Sequence, residues 1–119
     1  MKYLTLLLAV MLLVACDKQP VTVSPLQGRL EAANSISDPN AKNQSLSKVA
    51  IDASNASDIS TAKKAIDSMT EPNLMNSTAA TCAIALSKKT DAKSATTIAQ
   101  LISDPNLRNS TLQTIATGQ

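Results

Sequence analysis

Ser37-Asp38-Pro39-Asn40, Thr70-Glu71-Pro72-Asn73 and Ser103-Asp104-Pro105-Asn106 recur at a spacing of 33 residues, and this repeat governs what the chain can form. Asn43, Asn76 and Asn109 fall in step with it, as do Ala50, Ala83 and Ala116, while Leu46, Ala79 and Leu112 share one apolar position. Of the 17 residues from Ser103 to Gln119, eight match the preceding repeat in place, which unrelated segments would rarely do. Units this short bury little apolar surface alone, so the stability has to come from packing neighbour against neighbour.

Each repeat opens with an acidic residue followed by Pro. A carboxylate accepts from the free N–H groups of a helix start, and Pro lacks the N–H that would otherwise go unpaired there. A helix is therefore expected after Asp38, Glu71 and Asp104. Leu46, Val49, Ala50 and Ala53 lie at i, i+3, i+4 and i+7, one helical face, and Ala79, Cys82, Ala83 and Leu86 are their equivalents. A second helix is expected after Asp58 and after Asp91, carrying Ile59, Ala62, Ile66 and Met69 in one repeat and Ala92, Ala95, Ala99 and Ile102 in the next. Leu26 to Ile36 occupies the same frame. The reading is all-α: six helices of roughly 11 to 16 residues, arranged as three hairpins closed by the Asp/Glu-Pro-Asn turns, and marginal unless stacked. On this pattern a charge at Leu112 should loosen the terminal hairpin by several kcal/mol. In unit length and Ala-rich packing positions, residues 26–119 resemble the α-solenoid repeats of the tetratricopeptide or HEAT-like kind. That resemblance implies three stacked helical hairpins forming a short α-solenoid.

The N-terminus has a different character. Lys2 precedes an apolar run from Leu4 to Val14 broken only by Thr5. Crossing a bilayer takes about 20 apolar residues, whereas the apolar part of a secretory signal takes about 7 to 15. The run leads into Leu13-Val14-Ala15-Cys16, which resembles the bacterial lipobox. The resemblance implies a signal peptide at 1–15, cut after Ala15, with the Cys16 thiol converted to a diacylglyceryl thioether and its new amino group often acylated as well. At about 0.8 kcal/mol per buried methylene, two or three acyl chains hold a protein on a membrane almost permanently. Residues 16–25 then form the lipidated Cys and a tether. Pro20, Val21-Thr22-Val23 and Pro25 carry no helical period, and the nine residues from Asp17 reach roughly 30 Å. Asp17, just after the lipidated Cys, resembles the signal that retains lipoproteins in the inner membrane of enteric-type bacteria. Lys18 follows it and competes for its carboxylate. The expected location is the inner membrane, with residues 26–119 facing the periplasm.

The remaining inventory narrows the function. The chain has no His, and its one aromatic residue, Tyr3, falls in the signal segment. Base-stacking platforms and the usual aromatic interface anchors are thus absent from the mature part. Eleven Lys+Arg and nine Asp+Glu become ten against nine once Lys2 is removed, which gives no electrostatic case for a nucleic-acid partner. No Gly-rich phosphate loop and no metal-ligand cluster stands out, so no catalytic or metal residue is assigned, and no cofactor beyond the covalent lipid on Cys16 is expected. Asp38, Asp58, Glu71, Asp91 and Asp104 are explained as helix caps. Asp67 and Glu71 lie across a helix break and make a weak catalytic pair. Cys82 reads as a small core residue, because no His is present to activate a thiolate.

Asn43, Asn76 and Asn109 are the one recurring set with a candidate binding role, because equivalent positions of stacked repeats line up on one face. Inter-helix hydrogen bonds that fix the repeat spacing are the favoured explanation over a ligand. Lys63, Lys64, Lys88, Lys89 and Lys93 read as solvated helix surface before a basic face for headgroups. The helix at 105–117 is expected to leave an apolar flank open to a partner or a second copy. These features point to a lipid-anchored, non-enzymatic protein-interaction module whose partners are the membrane, through its acyl chains, and another envelope protein. Two alternatives remain: a phage- or plasmid-borne exclusion or immunity lipoprotein, and an envelope enzyme or enzyme inhibitor.

Overall fold

The computed structural model describes residues 24–119, and these are helical, with no strand among them. The expectations for the signal peptide, Cys16, Asp17 and Lys18 lie outside the described residues. The helices are α1 (Pro25–Asn34), α2 (Pro39–Asn55), α3 (Ile59–Asp67), α4 (Pro72–Lys89), α5 (Ala92–Ala99) and α6 (Pro105–Thr117).

Every helix starts on the cap its sequence offers. Asp38 Oδ1 accepts from the Ala41 N–H at 2.7 Å, Asp58 Oδ1 from Thr61 at 3.0 Å, and Asp91 Oδ1 from Ser94 at 2.7 Å. Glu71 accepts from Asn73 and Leu74, and Asp104 from Asn106 and Leu107. Pro39, Pro72 and Pro105 occupy the first helical position. At α1 the cap is Ser24, whose hydroxyl accepts from Leu26. The Ser94 N–H bond holds the Asp91 carboxyl below the usual carboxylate range, as expected where only the ionised form can accept fully.

The helices are less equal than their sequence pattern implies. α2 and α4 run for 17 and 18 residues, whereas α1, α3 and α5 have 10, 9 and 8. The residue before each Pro sets the furthest point that a short helix can reach. A residue before Pro is driven out of the helical region, and Asp38, Glu71 and Asp104 take ψ of 120°, 109° and 116°. The residues between the end of α3 or α5 and that extended position form a link, with Met69 and Ile102 tucked into the core.

The packing also departs from hairpins closed at the Pro-Asn turns. α2 packs most extensively on α3, and α4 on α5, so the close pairs are joined at Asp58 and Asp91. Across the Glu71-Pro72 junction, α3 makes only limited contact with α4. α4 lies against both α2 and α6, and α1 packs on α2. Close approach is possible because the buried positions are mostly small: Ala50, Ala53, Ala62, Ala65, Ala79, Ala83, Ala95 and Ala99 surround Leu46, Ile66, Leu86, Ile98 and Ile102. Leu112, equivalent to the fully buried Leu46 and Ala79, is only half-buried, and Ala116 is exposed. No further helix covers that side of α6 among the described residues, so the large loss expected from a charge at Leu112 is revised downward.

The two tight turns solve one frame differently. After α2, Ser57 takes φ of 61°, the Asp58 N–H donates to the Ala53 carbonyl at 2.8 Å and the Ser57 N–H to Ser54 at 3.1 Å. This is a Schellman closure with a left-handed Ser where Gly is usual. Its counterpart Thr90 is β-branched and disfavours that conformation; it sits at φ −123°, and α4 runs one turn position further, to Lys89. Ser57→Gly is therefore expected to relieve local strain, stabilising by about 1 kcal/mol and raising the melting midpoint by roughly 5 °C. Thermal unfolding followed by circular dichroism checks this.

Candidate functional site

The recurring asparagines tie each repeat to the next. Asn43 projects from α2 and is 4% exposed. Its Oδ1 accepts the Thr70 N–H at 2.8 Å, and its Nδ2 donates to Thr70 Oγ1 at 3.1 Å. Asn76, on α4, repeats the arrangement: its Oδ1 accepts from the Ser103 N–H at 2.8 Å and from Ser103 Oγ at 3.0 Å. Thr70 and Ser103 each immediately precede the acidic cap of the next long helix, so the Asn amide holds the approach to that cap in place. Beside the first joint, Ser47 and Thr78 share a 2.7 Å hydroxyl bond between α2 and α4.

Asn109 has the same frame but a different setting. The bonded residue lies 27 positions on from Asn43 and from Asn76. Asn109 is exposed, as is Ala116, whereas their equivalents Asn43, Asn76, Ala50 and Ala83 are buried. The structure thus brings Asn43 and Asn76 into two matching joints and leaves the third Asn on an open helix face. The hydroxyl partners Thr70 and Ser103 were not singled out from the sequence. The signal was present, since Ser37, Thr70 and Ser103 all stand just before the repeated acidic residue.

At the other end, α1 and α2 enclose a groove of about 400 Å³ bordered by Arg29, Ala32, Ile36, Ser45 and Lys48. Arg29 is held by Asp52 in a 2.7 Å ion pair. The groove is open and carries no convergent set of nucleophile and base.

Comparison with protein-family models, curated proteins and solved structures finds no match. The functional reading therefore rests on the residues themselves.

Cys82 is fully buried in α4, and burial pushes its thiol pKa up, so it stays protonated near neutrality. Ser54 beside it acts in the opposite direction and more weakly, its own buried Oγ lacking a hydrogen-bond partner of good geometry. Among the described residues, no group of three or more His, Cys, Asp or Glu is placed to hold a metal ion. Of Lys63, Lys64, Lys88, Lys89 and Lys93, Lys63 pairs with Asp67 one turn away at 2.6 Å, and Lys89 donates to the Asn55 carbonyl at the end of α2 at 3.0 Å.

The joints give a graded expectation. Asn43→Ala or Asn76→Ala leaves a partly buried N–H unpaired and should destabilise by about 1–3 kcal/mol each. Asn109→Ala should change stability by less than about 0.5 kcal/mol, as at an ordinary surface site. Urea titration of the three variants checks the order.

Proposed function

We propose that this chain is a membrane-anchored envelope lipoprotein whose helical part is a short α-solenoid acting as a non-enzymatic protein-interaction module. One observation carries the interaction reading: Asn109 and Ala116 expose on α6 the positions that α2 and α4 bury at Asn43 and Ala50 and at Asn76 and Ala83, with the partly buried Leu112 between them. A half-formed repeat joint is shaped for another helical element, and small side chains there allow the backbones to approach closely. The anchor reading rests on Leu13-Val14-Ala15-Cys16 and on the reach of the tether. Together they put an open binding face within a few nanometres of a membrane, where partners are also confined and their effective concentration is raised.

The partner is an envelope protein, a second copy of this chain included, and the open α6 face is where it docks. Ala116→Glu tests this, because the residue is exposed and the change should spare the fold. Affinity capture of the full chain from crosslinked membranes should recover a reproducible partner from the parent chain and lose it with Ala116→Glu. Undiminished recovery with the variant would remove α6 from the proposal.

Location supplies a second test. In a host with two membranes, sucrose-gradient separation should place the parent chain with the inner membrane, and Asp17→Ser should shift it outward. The carboxylate of Asp17 would lie at headgroup level, where it can pair with phospholipid amines. A parent chain already in the outer fraction would mean that Lys18 had neutralised the signal.

A further inference from the structure

The two ends of the described fold carry the two unpaired halves of one joint. Within the chain, that joint forms twice between a long helix and the repeat after it. The long helix supplies Asn43 or Asn76; the following repeat supplies the N–H and hydroxyl of Thr70 or Ser103. The following repeat also lays down a short helix whose packing positions are buried: Ala65, Ile66 and Met69 in α3, and Ile98, Ala99 and Ile102 in α5. The same positions of α1 are Ala32, Ala33 and Ile36, and there Ala33 is buried, whereas Ala32 is exposed and Ile36 only partly buried along the groove. Ser37 is the counterpart of Thr70 and Ser103 and, like them, is exposed, so its N–H and hydroxyl are within reach of a docked Asn. At the opposite end stand the exposed Asn109 and Ala116 with the half-buried Leu112.

From this correspondence we infer that a second copy of this chain docks head to tail, its α1–α2 groove on the open face of α6, with Asn109 of one copy bonded to Ser37 of the next. The polar groups of the joint match in kind. Asn109 Oδ1 accepts from the Ser37 N–H and hydroxyl, as Asn76 does from Ser103. Gln113, in the frame of Ser47, stands opposite Ser45, in the frame of Thr78, so the 2.7 Å hydroxyl bond of the first internal joint has a polar counterpart. The chain's own connectivity also permits it. Internally, α3 and α5 follow directly on the C-terminal ends of α2 and α4, so the start of α1 in the next copy arrives beside the C-terminal end of α6.

The joint is heterologous, so each docked copy offers a fresh α6 face and the assembly grows as a row or closes as a ring. It is also weak. Arg29 and Lys48 stand at the groove where Ala62 and Ala95, or Thr81 and Thr114, stand in the internal joints, and they reduce the apolar contact. Confinement at a membrane offsets that weakness, with every copy tethered in one plane.

This inference deepens the reading of α6 as an interaction face by naming its occupant. Its test is disulfide trapping in membranes from cells co-expressing full-length copies carrying only Ser37→Cys with copies carrying only Asn109→Cys. The docked geometry brings the two Cα atoms within about 7 Å, the range a disulfide can close. Cys82 is buried, and the parent chain fixes the background from native thiols. The expected product is a mixed 37–109 dimer that predominates over 37–37 and 109–109 products and disappears when Ala116→Glu is added to the Asn109→Cys copies. A mixed product no stronger than the like-with-like products, or one unaffected by Ala116→Glu, overturns the inference. If the mixed product fails while Ala116→Glu still abolishes capture of a different envelope protein, stacking falls and the proposed function stands. If both fail, both fall.

Discussion

Leu46→Asp is expected to abolish the cooperative helical unfolding transition, whereas Leu112→Asp lowers its midpoint only modestly. The two positions share one place in the repeat, but Leu46 is fully buried between α2 and its neighbours, whereas Leu112 is only partly buried at the edge of the core on α6. Removing a buried Leu costs about 2–5 kcal/mol through lost contacts and cavity, and a carboxylate without a partner adds several more. A domain of this size has of order 5–15 kcal/mol in total, and a core built largely of Ala sits toward the low end. Leu112 packs at the edge of the core but stays partly open to solvent, so a carboxylate there can keep its water and the loss is mainly transfer free energy, about 2 kcal/mol. Circular dichroism gives the transition. Reaction of Cys82 with a thiol reagent, read on its own peptide, gives an independent signal, since that thiol is buried until the fold opens. Equal behaviour of the two variants would contradict the burial asymmetry on which the open face depends.

The repeat frame itself was legible in the residues. Asp38, Asp58, Glu71, Asp91 and Asp104 cap helices where their spacing placed them, because capping is a local interaction between a carboxylate and N–H groups two or three residues on. The face through Leu46, Val49, Ala50 and Ala53 is buried for a similarly local reason, its helical period. What was not legible is which helices pair. Periodicity marks a face as apolar without saying which neighbour covers it, so hairpins closed at the Pro-Asn turns looked natural. The decisive facts are the tight turns at Ser57 and Thr90, together with the extended residue that each Pro imposes before it, and these fix how sharply the chain reverses.

The candidate site was half legible. Asn43, Asn76 and Asn109 announce themselves by recurrence, and hydrogen bonding between repeats was the favoured account of them. That Asn109 differs from the other two follows from what packs beside it, which the repeat pattern alone does not contain. Thr70 and Ser103 were overlooked as partners because a hydroxyl residue beside an acidic cap is common enough to pass as ordinary surface.

Cys16→Ala carries the largest expected effect on function: complete loss of fatty-acid incorporation, with residues 1–15 retained on the variant. Thioether formation needs a thiol, and on the proposed lipoprotein reading the cut after Ala15 depends on that modification. Membrane association alone would be a poor readout, since an uncut variant keeps the apolar run from Leu4 to Val14. Intact mass is free of that ambiguity. For the parent chain extracted from bacterial membranes, the expected result is a protein beginning at Cys16 and heavier than its residues by a diacylglyceryl group, with or without one further acyl chain. A parent chain that begins at Met1, or one with an unmodified Cys16, would contradict the lipid anchor.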